Sequence, residues 1–155
     1  LTQLESLSQT KFSSSKISKG ENYKGLPYLV LDYPAQFSTP SIFAFRSLFW
    51  WGNFFSFTLH MQGEVLEKFR SQIILHAPQM RQNEYFICIN ETPWEYHYEP
   101  SNYKNANDLE VEELMELLSK KSFLKLSKKI PIPNYSKLEE KGLEVFSELI
   151  SFLES

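Results

Sequence analysis

The chain has 155 residues, of which 42% are hydrophobic, 15% aromatic and 23% charged, and its net charge is −3. That length suits one domain that buries about two thirds of its unfolded surface. Lys and Arg scattered through an acidic chain exclude the basic footprint of a nucleic-acid binder, and a single cysteine excludes a disulfide framework.

Leu4, Leu7 and Phe12 lie at helical spacing and predict a frayed N-terminal helix over residues 1–20, weakened by Ser13, Ser14 and Ser15 and ending near Gly20. No apolar core follows a basic start, so no signal peptide is expected. Leu26 to Tyr33 reads as a strand closed by Pro34, with a loop from Tyr33 to Thr39.

Phe43 to Met61 holds eight of the chain's 24 aromatic residues, and the rest must cover it. Thr39 as N-cap, Pro40 at the first helical position and Gly52 past the end predict a helix over 40–51. The competing reading is a strand that ends in a hairpin turn at Trp51-Gly52-Asn53-Phe54. Phe54 to Met61 alternates as a strand, with Phe55, Phe57, Leu59 and Met61 on one face and Phe54, Ser56, Thr58 and His60 on the other. Arg46, Asn53 and His60 interrupt the stretch, so no run of about 18 apolar residues exists to span a membrane.

Val65, Leu66, Phe69 and Ile73 predict a helix over 64–76, stopped before Pro78, and the polar residues from Gln79 to Asn83 read as a loop. Tyr85 to Ile89 and the alternating Trp94 to Glu99 predict two strands joined as a hairpin through Asn90 to Pro93. Ser101 to Asn107 reads as a loop. Asn107 or Asp108 caps a helix with Glu110, Glu112 and Glu113 at its start and Lys120 and Lys121 at its end. Phe123 to Lys128 is a further strand, and Ser136 with Glu139 makes a capping box for a last helix lined by Val145, Phe146, Leu149, Phe152 and Leu153. The sum is a single α+β domain with a mostly antiparallel sheet of about five strands and helices mainly on one face.

No phosphate-loop, dinucleotide, nucleophile-elbow or zincin motif occurs, so nothing names a reaction or a cofactor. His97 between Glu95 and Glu99 could act as an acid/base pair, although a solvated strand face gives the same alternation. Joining it to His60 or His76 in a metal site would require contacts that spacing does not supply, and no metal is expected. Arg46 among aromatics must be stacked or paired with a carboxylate such as Asp32, or hold an anionic ligand. Trp50, Trp51, Phe54, Trp94, Tyr96 and Tyr98 supply more aromatic surface than one strand face buries, which suits a pocket as well as plain packing. The candidate binding residues are therefore Arg46, Trp50, Trp51, Phe54, His60, Trp94, Tyr96, His97 and Tyr98. Cys88, inside an apolar run, reads as a buried thiol and favours a reducing setting.

Three segments, Tyr23-Lys24-Gly25-Leu26-Pro27-Tyr28, Phe49-Trp50-Trp51-Gly52-Asn53-Phe54-Phe55 and Pro93-Trp94-Glu95-Tyr96-His97-Tyr98, resemble a family of small uncharacterised bacterial proteins of Bacteroidetes type. The resemblance spans Gly20 to Tyr103 and implies a bacterial cytoplasmic protein, with no activity attached. Two readings follow. The first is a non-catalytic domain that binds a small molecule or a protein, or pairs with a second copy of itself. The second is a small enzyme using a histidine and a carboxylate, with Arg46 as anion clamp.

Overall fold

The computed structural model describes residues 14–38, 41–50, 52, 54–131 and 137–154. Seven strands, β1 (Ser14–Tyr23), β2 (Leu26–Ser38), β3 (Ser41–Trp50), β4 (Phe54–Gln62), β5 (Phe86–Cys88), β6 (Tyr103–Asn105) and β7 (Phe123–Pro131), form one sheet in the order β1-β2-β3-β4-β7-β5-β6. Every neighbouring pair is antiparallel. The helices are α1 (Glu64–Leu75), α2 (Ala77–Gln82), α3 (Val111–Lys120) and α4 (Leu138–Ser151), with a 3₁₀ turn at Ala106–Asp108. This is the expected α+β class, with more strands than anticipated.

The first four strands form a meander. Tyr23 pairs with Leu26 across Lys24-Gly25, both at positive φ (48° and 88°), the backbone that a two-residue hairpin loop requires. β2 does not stop at Pro34. Its register shifts between Asp32 and Ala35, so Tyr33 and Pro34 fall in a bulge, where a residue without an N–H costs the ladder nothing. The helix expected over 40–51 is strand β3 instead. Its turn signals lose to two flanking partners and to burial on both faces, which a strand satisfies by alternation. The N-terminal helix is likewise corrected from Ser14 onward, where the chain is β1, while Leu4, Leu7 and Phe12 lie outside the described residues.

Odd-numbered side chains of the central hairpin, Phe43, Phe45, Phe57, Leu59 and Met61, face the helices and join Leu66, Ile73, Leu114, Leu118, Val145 and Leu149 in the main core. α4 approaches closely at Gly142, where a Cβ would lie 2.9 Å from the Phe57 ring. α3 starts at Val111, and the Glu113 carboxylate accepts the Glu110 N–H at 3.3 Å, so the cap is Glu110 rather than Asn107 or Asp108. The polar run from Gln79 contributes to helix α2 rather than a loop, because Ala77 and Met80 reach the core. Ser101 to Asn107 is also not all loop, since it supplies β6 and the start of the 3₁₀ turn. Ser136 of the expected capping box lies outside the described residues.

Among the described residues, no helix lies on the opposite face of the sheet. That face is covered by residues 89–102, an irregular strap between β5 and β6, and by the meander's own aromatics around Val30, Leu48, Trp50 and Phe54. The hairpin expected between 85–89 and 94–99 does not form. β5 pairs with β6 and β7, while residues 94–98 are not in a strand.

Candidate functional site

Residues 94–98 of the strap are in no ladder, and the side chains of Lys125 and Tyr23 from the sheet and of Asn102 from the strap itself take its place. Lys125 Nζ donates to the carbonyls of Pro93 (2.7 Å) and Glu95 (2.9 Å), and Asn102 Nδ2 donates to those of Glu95 (3.2 Å) and His97 (2.7 Å). The Tyr23 hydroxyl donates to the Glu95 carboxylate and accepts the N–H groups of Tyr96 (3.0 Å) and His97 (3.4 Å). Burial, then the bond to Glu95, pushes the Tyr23 hydroxyl up to about 12. Burial brings Lys125, 2% exposed, down to about 8. Backbone groups that would otherwise be desolvated without partners are thus satisfied, and the strap's path is fixed.

At one end the strap borders an open cleft of about 570 Å³ lined by Lys24, Trp50, Phe54, His97, Tyr98, Glu99, Lys129 and Pro131. Trp50 and Phe54 pair across β3 and β4, with ring centroids 5.5 Å apart, and Tyr98 meets Phe54 edge-on at 5.0 Å. Trp50 Nε1 donates to the Tyr23 carbonyl, which keeps the indole against the wall. Lys129 Nζ stands 5.3 Å from the Tyr98 ring. Lys24, held in place by the β1–β2 turn, lies 3.9 Å from the Glu99 carboxylate. His97 is buried in the wall, its Nδ1 accepting the Glu99 N–H at 3.2 Å; its ring nitrogens lie 3.6 Å from the Glu99 carboxylate and 3.9 Å from that of Glu95.

Under the strap's middle lies a buried polar row. Asp32, Arg46, Thr58 and Ser127 are successive partners across β2, β3, β4 and β7. Arg46 donates through Nε (2.7 Å) and Nη2 (3.1 Å) to the two Asp32 oxygens, the carboxylate pairing that its place in the sequence calls for. Burial works against the guanidinium's charge, but Asp32 outweighs it and its pKa is raised. The rings of Trp94 and Tyr96 lie 5.9 and 5.8 Å from its central carbon. Thr58 Oγ1 and Ser127 Oγ are 2.6 Å apart, and the Tyr98 hydroxyl bonds Ser127, so the row reaches the cleft's aromatic floor. His60, fully buried, bonds Gln62 through Nε2 at 3.0 Å. Burial, then the charges of Arg46 and Lys125, lowers it to about 3.

The candidate residues therefore divide. Trp50, Phe54, His97 and Tyr98 line the cleft, Arg46, His60, Trp94 and Tyr96 form the layer beneath the strap, and Trp51 lies outside the described residues. His76 belongs to neither group. Its Nδ1 is 2.8 Å from the Gln72 carbonyl and its ring packs against Phe152 on the helical side. Sequence reasoning missed Lys24, Lys125, Lys129, Tyr23 and Asn102. Lys125 carried a signal, a lone cation between Leu124 and Leu126 in a strand whose neighbours are all buried. Among the described residues, no group of three or more His, Cys, Asp or Glu side chains could hold a metal ion, and no helix is long and apolar enough to cross a membrane. No family model matches the chain, and no curated protein or solved structure is significantly similar to it.

Proposed function

We propose that the chain is a non-catalytic binding domain that takes a small, flat, negatively charged organic molecule in the cleft under the end of the strap. The observation that carries this reading is the cleft itself. Its volume of about 570 Å³ falls within the range of roughly 300–1,000 Å³ typical of small-molecule sites. It is lined by three aromatic side chains, Trp50, Phe54 and Tyr98, and by two lysines, Lys24 and Lys129, against the one carboxylate of Glu99. Aromatic faces favour a planar ligand, and ammonium groups at the rim favour one bearing a carboxylate. Binding is favoured over catalysis because Arg46, the residue suited to clamp an anionic substrate beside a histidine, is committed to Asp32 and does not line the cleft. A bacterial cytoplasmic setting belongs to the same proposal, supported by the resemblance of the three sequence segments and by the buried thiol of Cys88.

Titration with benzoate, salicylate and indole-3-carboxylate, followed by native mass spectrometry and by the melting temperature, tests the reading. At least one should bind saturably, and Lys129→Ala should weaken it about tenfold or more, the loss of one charge-assisted contact. No saturable binding by any of the three, or binding unaffected by both Lys129→Ala and Trp50→Leu in folded protein, would overturn it.

A further inference from the structure

The cleft holds charges of both signs, and two of them are uncommitted. Lys129 Nζ, reaching in from β7, stands 5.3, 5.9 and 6.0 Å from the rings of Tyr98, Phe86 and Phe54. Among the described residues it donates no hydrogen bond and meets no carboxylate within ion-pair distance. Glu99 comes from the end of the strap, with its side chain 65% exposed. Its Oε2 lies 3.6 Å from His97 Nδ1 and 3.9 Å from Lys24 Nζ, and neither contact is a hydrogen bond. His97 Nδ1 accepts the Glu99 N–H and has no proton to give the carboxylate, while the Lys24 ammonium is too far to donate.

An aromatic ring seated against Trp50, Phe54 and Tyr98 takes water from the Lys129 ammonium and from the Glu99 carboxylate, because all of them line the one cleft. A charge that loses water without gaining a counter-charge is costly. A plain aromatic acid answers Lys129 but sets a like charge beside Glu99, and a plain aromatic amine meets the two lysines in the same way. A ligand that carries both charges answers each. The exposed contact between Lys24 and Glu99 is weak enough to yield at little cost.

We infer that the cleft selects an aromatic zwitterion, such as a free aromatic amino acid, whose carboxylate meets Lys129 and whose ammonium meets Glu99. The inference rests on the proposed reading of the cleft as a site for an aromatic carboxylate, keeps that carboxylate, and adds a positive group to the ligand. Glu99 is then the residue that sets specificity. The two lysines alone would favour the plain acid over its amine-bearing counterpart, so the preference between the two reports on Glu99 directly.

The test compares matched ligands by titration calorimetry on the folded chain at pH 7: tryptophan against indole-3-propionate, and 4-(aminomethyl)benzoate against 4-methylbenzoate. Within each pair the ring and the acid are shared and only the ammonium is added, next to the acid in the first pair and across the ring from it in the second. At least one zwitterion should bind about threefold more tightly than its partner, or better, and the pair that shows the gain reads the spacing between Lys129 and Glu99. This comparison needs no variant. In Glu99→Gln the order should reverse, because the lysines then repel an ammonium that nothing answers. Plain acids that bind while neither zwitterion binds more tightly would overturn the inference and leave the aromatic-acid cleft standing. A gain that survives unchanged in folded Glu99→Gln would also overturn it, and no binding by any of the four ligands would overturn both readings.

Discussion

Replacing Asp32 with alanine removes the ion pair that makes Arg46 tolerable on the strap side of the sheet. The two side chains are 4% and 6% exposed and joined by two hydrogen bonds, so removing the carboxylate strands a guanidinium that already has one unpartnered nitrogen. Breaking a buried pair in this way costs about 3–5 kcal/mol. At about 2–4 °C per kcal/mol for a chain of this size, the melting temperature should fall by roughly 10 °C. Urea unfolding at pH 7 measures the loss directly, and 1 M salt should change it little, because screening barely reaches a buried pair. The companion double variant Asp32→Leu with Arg46→Met removes both charges and keeps the volume, and its stability should return to within about 1 kcal/mol of the parent. An Asp32→Ala protein that loses less than about 1 kcal/mol would refute the reasoning, since water would then reach and screen the pair despite its burial.

Two further predictions concern pH. His60 is held near 3 when folded and titrates near 6.5 when unfolded, so unfolding takes up a proton between those values. Its contribution to stability is complete above about pH 6.5 and is lost as the pH falls. Between pH 7 and 4.5 the parent should lose about 3 kcal/mol more than His60→Leu, and parallel losses would show that the imidazole is not sealed from water. Lys125, near 8 when folded and 10.5 when unfolded, works in the alkaline range. Unfolding takes up a proton there, so stability rises by about 2 kcal/mol from pH 8 to 9.5 in the parent and not in Lys125→Met, as read by urea unfolding. The comparison stops at pH 9.5 because the buried hydroxyls of Tyr23, Tyr85, Tyr98 and Tyr103, all raised, act in the opposite sense above about 10.

Periodicity was legible where an element's apolar residues lie on one face only. Phe55, Phe57, Leu59 and Met61 at period two, and Val65, Leu66, Phe69 and Ile73 at three and four, marked β4 and α1 because a single apolar core imposes a single repeat. β3 defeated the same logic. Ser41–Trp50 is apolar on both faces, with Phe43 and Phe45 on one and Ala44, Leu48 and Trp50 on the other, whereas the second face of β4 is marked by Ser56, Thr58 and His60. Its repeat is therefore hidden, and Thr39, Pro40 and Gly52 spelled out helix ends that tertiary pairing overrode. The Arg46 and Asp32 pair could be anticipated from the cost of a buried charge alone, whereas Lys125 could not be placed until β7 was known to enter the sheet between β4 and β5.

The strap was the hardest segment to read, for a reason that bears on the site. Trp94 to Glu99 alternates like a strand, yet no strand among the described residues pairs with it; its backbone is bonded by Lys125, about 30 positions on, by Tyr23, 73 and 74 positions back, and by Asn102 across a turn. A segment held mainly by side-chain bonds rather than by a ladder can be released by a few bonds breaking, without opening the sheet. The same segment supplies His97, Tyr98 and Glu99 to the cleft and Trp94 and Tyr96 to the layer over Arg46. A change at Lys125 or Tyr23 should therefore disturb both places together, while the helical core on the other face of the sheet stays packed.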